Sequence, residues 1–254
     1  TTQVGGRRVK LDVSREETFV SNRVRHAIRT HIISYVRPDG TFAARKMECF
    51  SNQGAYASHG HGIAAKGMGA FPQLYPCDNV QCDAYTVFTN KPVSGAMRGY
   101  GIPQAMFAGE SHIEDVARAL HMDSLAFRRK NMMPVGYVDG FSKNENYSDS
   151  LNQCIEKGME YIGYERKQAE YAKESGPVRH GVGMAIFWYN TAVWPISLES
   201  SSCRMVLNQD GSVQLQMGET EIGQGADTAF AQMAAETLGI PFQDVHVIST
   251  QDTD

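Results

Sequence analysis

The run Gly95-Ala96-Met97-Arg98-Gly99-Tyr100-Gly101-Ile102-Pro103-Gln104 combines three features that suit an anionic or strongly polar ligand. Its glycines let backbone N–H groups come close to a bound group. The helix expected from Ile102 onward aims the positive end of its dipole at the turn. Arg98 adds a rigid fork of donors for an oxyanion. The pattern is not a dinucleotide fingerprint, because Gln104 stands where a third glycine belongs. Nor is it a P-loop, which needs Gly-Lys-Ser/Thr. An ordinary tight turn with a surface arginine fits the same residues. A second such element is Gly218-Glu219-Thr220-Glu221-Ile222-Gly223-Gln224-Gly225. Here Gln224, an amide that both donates and accepts, stands between two glycines ahead of another expected helix. A strand-to-helix connector with a solvated glutamine is the plain alternative.

Other chemistry is weaker. His59 and His61 would point to opposite faces of a strand and converge only in a loop, and no third ligand sits at a recognised metal spacing. Cys49, Cys77, Cys82, Cys154 and Cys203 are an odd, scattered set, without the tight repeated pairs of zinc or iron–sulfur sites, so reduced structural thiols are expected. No serine has the Gly-x-Ser-x-Gly setting of a hydrolase elbow. Arg128-Arg129-Lys130 is expected at a helix end, where cations favour the dipole.

These residues need elements to position them. Arg8 to Val13 alternates and predicts a strand, and Ser14-Arg15-Glu16-Glu17 predicts a capped short helix. Arg25–Val36 and Thr41–Ser51, joined by Pro38-Asp39-Gly40, predict a β-hairpin. Gly54–Gly69 is too glycine-rich for a regular helix and reads as a buried loop or broken helix. Val80–Thr89 predicts a strand. Ile102, Met106, Ile113, Val116, Ala117 and Leu120 recur at helical spacing, and Asp123 opens a shorter helix. Pro134–Tyr147 reads as a polar linker, and Ser148–Glu174 as helix with a break near Gly163. Gly181–Asn190, Leu198–Leu207, Ser212–Met217 and Val245–Ile248 predict strands. A helix through Phe230, Met233 and Leu238 stops at Gly239 and Pro241. The order strand, glycine turn, helix occurs twice, near 80–120 and near 212–238. The fold class is therefore α+β, with mixed sheets and packed helices. The expected domains are 1–135 and 178–254, with a linker and helices over 136–177.

The chain has 254 residues, 42% hydrophobic and 20% charged, which supports a real core rather than disorder. A net charge of −4 offers no footprint for nucleic acid. No stretch reaches the ~18 apolar residues of a membrane helix, and no secretory leader is seen. A cytoplasmic protein is expected, with no nucleic acid or membrane partner. Thr1 and the strand just before Asp254 lead to the expectation of an internal piece of a longer polypeptide.

Three groups of residues carry a resemblance. They are Arg98-Gly99-Tyr100-Gly101-Ile102-Pro103-Gln104 with Glu110; Glu221-Ile222-Gly223-Gln224-Gly225 with Thr228 and Glu236-Thr237-Leu238-Gly239-Ile240-Pro241; and Gly6-Arg7-Arg8-Val9 leading to Ser14-Arg15-Glu16-Glu17. In type and spacing, over nearly the whole chain, they resemble the molybdenum hydroxylase (xanthine dehydrogenase/oxidase) family. Within it they are most similar to the molybdenum-binding subunits of bacterial xanthine dehydrogenases. The resemblance implies parts of two molybdenum-cofactor-binding domains. It also implies a molybdenum–molybdopterin cofactor, expected in a dinucleotide form and held without direct protein ligands to the metal. The implied activity is oxidative hydroxylation of purines such as hypoxanthine and xanthine. Electrons would leave through [2Fe-2S] centres to FAD on partner subunits.

Residue by residue, the resemblance gives Arg98 and Gly99 a place beside the molybdenum ligands or the pterin, and Gly223, Gln224 and Gly225 a contact with the pterin. Tyr100 would pack on the substrate ring, Lys66 would polarise a purine carbonyl, and Trp194, or Val193, would form an aromatic wall. The family often has Phe at the position of Tyr100, and Arg is common at that of Lys66. The family's early glycine-rich motif and its base glutamate have no counterpart here. The base is expected beyond residue 254, and no glutamate of this chain takes that role. The chain alone is accordingly expected to be inactive; turnover of xanthine by this polypeptide without other subunits would contradict the assignment. Another aromatic substrate (nicotinate or an aromatic thioester) and a non-catalytic binding or assembly module are the alternatives.

Overall fold

The computed structural model describes residues 2–140, 142–189 and 200–248. The chain divides into two compact units, Thr1–Pro195 and Ile196–Asp254.

In the first unit, Ser14 caps helix α1 (Arg15–Ser21) through a complete capping box. The Glu17 N–H donates to Ser14 Oγ at 3.2 Å and the Ser14 N–H donates to the Glu17 carboxylate at 2.8 Å. The expected strand over Arg8–Val13 does not form. These residues are all exposed, so alternation there has no core to face. Strands β1 (Ile28–Val36) and β2 (Phe42–Gly54) make the expected antiparallel hairpin. Asp39 fixes its turn by accepting from the Thr41 N–H at 3.0 Å.

The first surprise follows β2. Where a loop or broken helix is expected, residues Gly60–Leu74 form the regular helix α2. Glycine costs up to ~1 kcal/mol per helical position relative to alanine, but burial offsets that cost. Eleven α2 residues are buried, and Met68 and Phe71 meet Met47 and Cys49 of β2, both fully buried, and Ala105. Burying one such large side chain contributes roughly 1.5–3 kcal/mol. Strand β3 (Val80–Phe88) then pairs parallel with β2, so α2 is the crossover of a β-α-β unit.

Helix α3 (Ile102–Ala119) buries Ile102, Met106, Ile113 and Ala117 at the predicted spacing. Helix α4 (Ser124–Asn131) is capped by Asp123, which accepts from the Ala126 N–H at 2.8 Å. Helices α5 (Ser150–Ile162) and α6 (Tyr164–Tyr171) break at Gly163, as expected. Gly181–Tyr189 is not a strand. Its Ile186 N–H donates instead to the buried Glu110 carboxylate at 2.9 Å, which satisfies the backbone without a sheet. Asn190 lies outside the described residues.

The second unit holds the antiparallel strands β4 (Cys203–Leu207) and β5 (Val213–Met217), then helix α7 (Ala226–Leu238), then strand β6 (Val245–Ile248) parallel to β5. The strand expected from Leu198 begins only at Cys203, with Leu198 and Glu199 outside the described residues. Leu215, Ala231, Ala234, Ala235 and Val245 form its core.

Hairpin, crossover helix and parallel third strand therefore occur in both units. The true repeat sets α2 opposite α7. The order strand, glycine turn, helix also occurs twice as expected, from β3 to α3 and from β5 to α7. The fold is α+β with mixed sheets, as expected. Among the described residues no helix is long and apolar enough to cross a membrane.

Candidate functional site

Parallel strands place their ligands beyond their carboxyl ends, and the Arg98 turn stands at that end of β2 and β3. The chain leaving β3 wraps the end of β2. The Thr89 N–H donates to the Gly54 carbonyl (3.0 Å), the Ala55 N–H to the Lys91 carbonyl (3.1 Å) and the Ser94 N–H to the Gln53 carbonyl (3.0 Å). The turn proper closes with the Tyr100 N–H on the Met97 carbonyl (2.8 Å) and the Ile102 N–H on the Gly99 carbonyl (2.9 Å). Gly99, Tyr100 and Gly101 all have positive φ: 96°, 44° and 94°.

Two supports hold this geometry. Arg25 donates to the Arg98 carbonyl at 2.7 Å and to Gln104 Oε1 at 3.4 Å, while Gln104 Nε2 donates to the His26 carbonyl at 3.1 Å. The position that excludes a dinucleotide fingerprint is thus a buttress of the turn. The second support is α2. A Cβ on Gly101 would stand 2.2 Å from the Ile63 carbonyl oxygen, and one on Gly67 would stand 2.9 Å from the Gly101 oxygen. Only glycine permits this approach.

The Arg98 side chain is exposed at the N-terminal end of α3. Tyr100 is half-buried, with its hydroxyl 3.0 Å from His59 Nδ1. Lys66 is buried in α2, its ammonium 4.6 Å from the centre of the Tyr189 ring, a cation–π distance. His59, Ile63, Lys66 and Gly67 follow helical spacing along one side of α2. Through Gly67 and His59 that side meets the turn carrying Arg98, Gly99 and Tyr100. Trp194 and Val193 lie outside the described residues.

The second glycine element is arranged differently. Gln224 is exposed, but both ends of its amide engage its own loop. Oε1 accepts from the Ile222 N–H at 2.6 Å and Nε2 donates to the Thr220 carbonyl at 2.9 Å. Glu221 occupies the start of α7, accepting from the N–H groups of Gly223 (2.5 Å), Gly225 (3.2 Å) and Asp227 (3.3 Å). The Gly225 N–H foremost, with those of Gly223 and Asp227, holds its carboxyl below the ordinary glutamate range. The start of α7 thus carries an anion of its own. A Cβ on Gly225 would meet nothing within 4 Å, so the loop is open on that side.

Sequence reasoning missed Arg25, His59 and Tyr189 as parts of these elements, and the role of Glu221 within its own run. Glu221 had the one legible signal: an acidic residue a few positions before a helix start. Among the described residues, no group of three or more His, Cys, Asp or Glu is arranged to hold a metal ion.

Comparison with known proteins gives a consistent picture. Residues 1–132 and residues 157–254 each match a molybdopterin cofactor-binding domain. The chain is 44% identical over 254 residues to the xanthine dehydrogenase molybdenum-binding subunit of Escherichia coli O157:H7, covering all of this chain and 34% of that one. It is 30% identical over 247 residues to xanthine dehydrogenase of Drosophila pseudoobscura pseudoobscura, covering 96% of this chain and 18% of that one. Among solved structures it resembles the aldehyde oxidoreductase of Desulfovibrio desulfuricans with a TM-score of 0.70 and 26% identity, covering 88% of this chain and 25% of that one. The chain spans about a third of the length of the bacterial subunit it matches.

Proposed function

The chain belongs to the molybdopterin cofactor-binding domain family, and from that premise we propose that it is the cofactor-holding portion of a molybdenum hydroxylase subunit acting on purines such as hypoxanthine and xanthine. FAD and [2Fe-2S] centres on partner subunits would carry the electrons away. The observation that carries this reading is the Arg98 turn, an exposed guanidinium followed by three left-handed residues that lead into an 18-residue helix. The similarity to xanthine dehydrogenases supports the purine.

The residues present fit the group by type. Molybdopterin brings an anionic phosphate and a metal with oxygen ligands. Arg98 and the helix end behind it supply charge and donors suited to either. Arg98 and Gly99 would hold the metal's outer ligands or the pterin. Gly223, Gln224 and Gly225 would meet the pterin on the second unit, where Gln224 must exchange at least one of its two loop bonds to reach it. When bound, the group supplies two-electron oxidative hydroxylation of an electron-poor ring carbon. Tyr100 would set one face of the substrate slot, and the buried Lys66 ammonium would polarise a ring carbonyl. Glu110 and Glu221 are committed to a buried ion pair and a helix start, and neither acts as the base.

The test is Arg98→Met in the intact subunit assembled with its electron-transfer partners. Removing one charge-assisted bond to the developing charge is expected to lower kcat on xanthine roughly ten- to a hundredfold, with the fold retained. Molybdenum content is measured alongside. Unchanged turnover and unchanged molybdenum would remove Arg98 from the site. Faster oxidation of nicotinate than of any purine by the unaltered enzyme would move the substrate assignment.

A further inference from the structure

Tyr100 is one of three non-glycine residues with positive φ among the described residues, at 44°. A bulky side chain in that region is strained and persists only where its surroundings hold it. The backbone is held by the turn bonds and by Gly101 against the Ile63 carbonyl. The side chain is held from a different element. His59, 41 residues upstream, places Nδ1 3.0 Å from the phenol oxygen, with the two rings edge-to-face at 85° and centroids 6.1 Å apart. His59 stands at the N-cap of α2, yet its side chain makes no capping bond there. Its imidazole is spent on the tyrosine rather than on the helix. His59 is exposed and Tyr100 half-buried, so packing leaves room for the directional bond to help set the orientation of the rings.

We propose that His59 is a positioning residue for Tyr100. Its imidazole sets the plane of the phenol ring, so that a planar heteroaromatic ligand meets a face already oriented. This rests on the reading of Tyr100 as one wall of the substrate slot. The hydroxyl is what makes the arrangement available, because a phenylalanine at this position offers the imidazole nothing to bond. A pre-oriented ring lowers the ordering cost of binding and leaves the chemical step alone. The expected signature is therefore in KM and not in kcat.

The experiment uses the intact subunit assembled with its electron-transfer partners, and xanthine as the probe substrate. His59→Ala is expected to raise KM about three- to tenfold, the scale of one hydrogen bond, with kcat within about twofold. Tyr100→Phe is expected to shift KM in the same direction, and His59→Ala added to it should shift KM no further. His59→Asn, whose amide reaches the position of Nδ1, is expected to restore KM. A role confined to starting α2 would lower the thermal midpoint and act equally in both tyrosine and phenylalanine backgrounds, which would overturn the proposal. A substrate-independent readout separates the two assignments. In enzyme labelled with 3-fluorotyrosine, the ¹⁹F signal missing from Tyr100→Phe should move in His59→Ala. If it does not move, the bond is absent and the proposal fails, while the substrate-wall reading stands. If it moves and KM does not, Tyr100 is not at the substrate, and both fall.

Discussion

Glu110→Leu is expected to lower the thermal midpoint of the protein by on the order of 10 °C. Glu110 is buried in α3 and accepts three bonds: from Tyr75 Oη at 2.5 Å, Arg128 Nε at 2.9 Å and the Ile186 N–H at 2.9 Å. Arg128 is 1% exposed. Burial alone would lower its pKa, but the charge and hydrogen bond of Glu110 outweigh that and raise it. Removing the carboxylate leaves Arg128 with Glu114, 3.2 Å away and 38% exposed, as its remaining carboxylate partner. Breaking a buried pair from one side costs about 3–5 kcal/mol, and a unit of this size loses about 2–4 °C per kcal/mol. Glu110→Leu combined with Arg128→Met should recover part of the loss, because no buried charge is left unpaired. It should not recover all, since the Tyr75 hydroxyl and the Ile186 N–H remain without their acceptor. A midpoint of Glu110→Leu within about 2 °C of the unaltered protein would contradict this account. The same substitution frees the segment that carries Tyr189 toward Lys66, so exchange of the Ile186 amide should accelerate.

Local signals were legible wherever the partner lay within a few residues. The Ser14 capping box, the Asp39 turn, the Asp123 cap and the period of α3 each depend on neighbours along the chain, and each forms as read. Misreadings arose where a distant group decides. Glycines in Gly60–Leu74 argue against a helix by propensity, yet packing on Met47 and Cys49 makes one. The apolar alternation of Gly181–Tyr189 looks like a strand, yet the group that satisfies Ile186 is a carboxylate 76 residues upstream. Because α2 does not show in the glycine-rich sequence, the crossover that relates α2 to α7 is not legible, although the strand, glycine turn, helix order is. Within the site, Arg98 is visible as a residue type in a pattern, and Tyr100 and Lys66 only through the family resemblance. Their supports Arg25, His59 and Tyr189 are not, because each acts across tens of residues.

Gly101→Ala is expected to be the most damaging single-methyl change in the candidate site, and a matched substitution shows why. Gly101 and Gly225 both sit in left-handed backbone at a helix start, with φ of 94° and 84°. Alanine at either pays the dihedral cost, about 1–2 kcal/mol. The positions differ in what the methyl meets. At Gly225 nothing lies within 4 Å, whereas at Gly101 the Ile63 carbonyl oxygen is 2.2 Å away and the Gly67 nitrogen 3.3 Å. Those atoms belong to the backbone of α2, which cannot give way without loosening a helix whose other side is packed on the sheet. The turn must lift from α2 instead, taking Arg98 and Tyr100 with it and separating the phenol from His59. Gly225→Ala should therefore destabilise its unit by about 1–2 kcal/mol, and Gly101→Ala should destabilise its own by at least twice as much in denaturant unfolding. In the intact subunit Gly101→Ala should also reduce bound molybdenum, and in fluorotyrosine-labelled protein it should move the Tyr100 signal even where folding survives. Equal losses of unfolding free energy for the two variants would mean that the turn does not rest on α2. The proposed placement of Arg98, Tyr100 and Lys66 around a common ligand would then lose its physical basis.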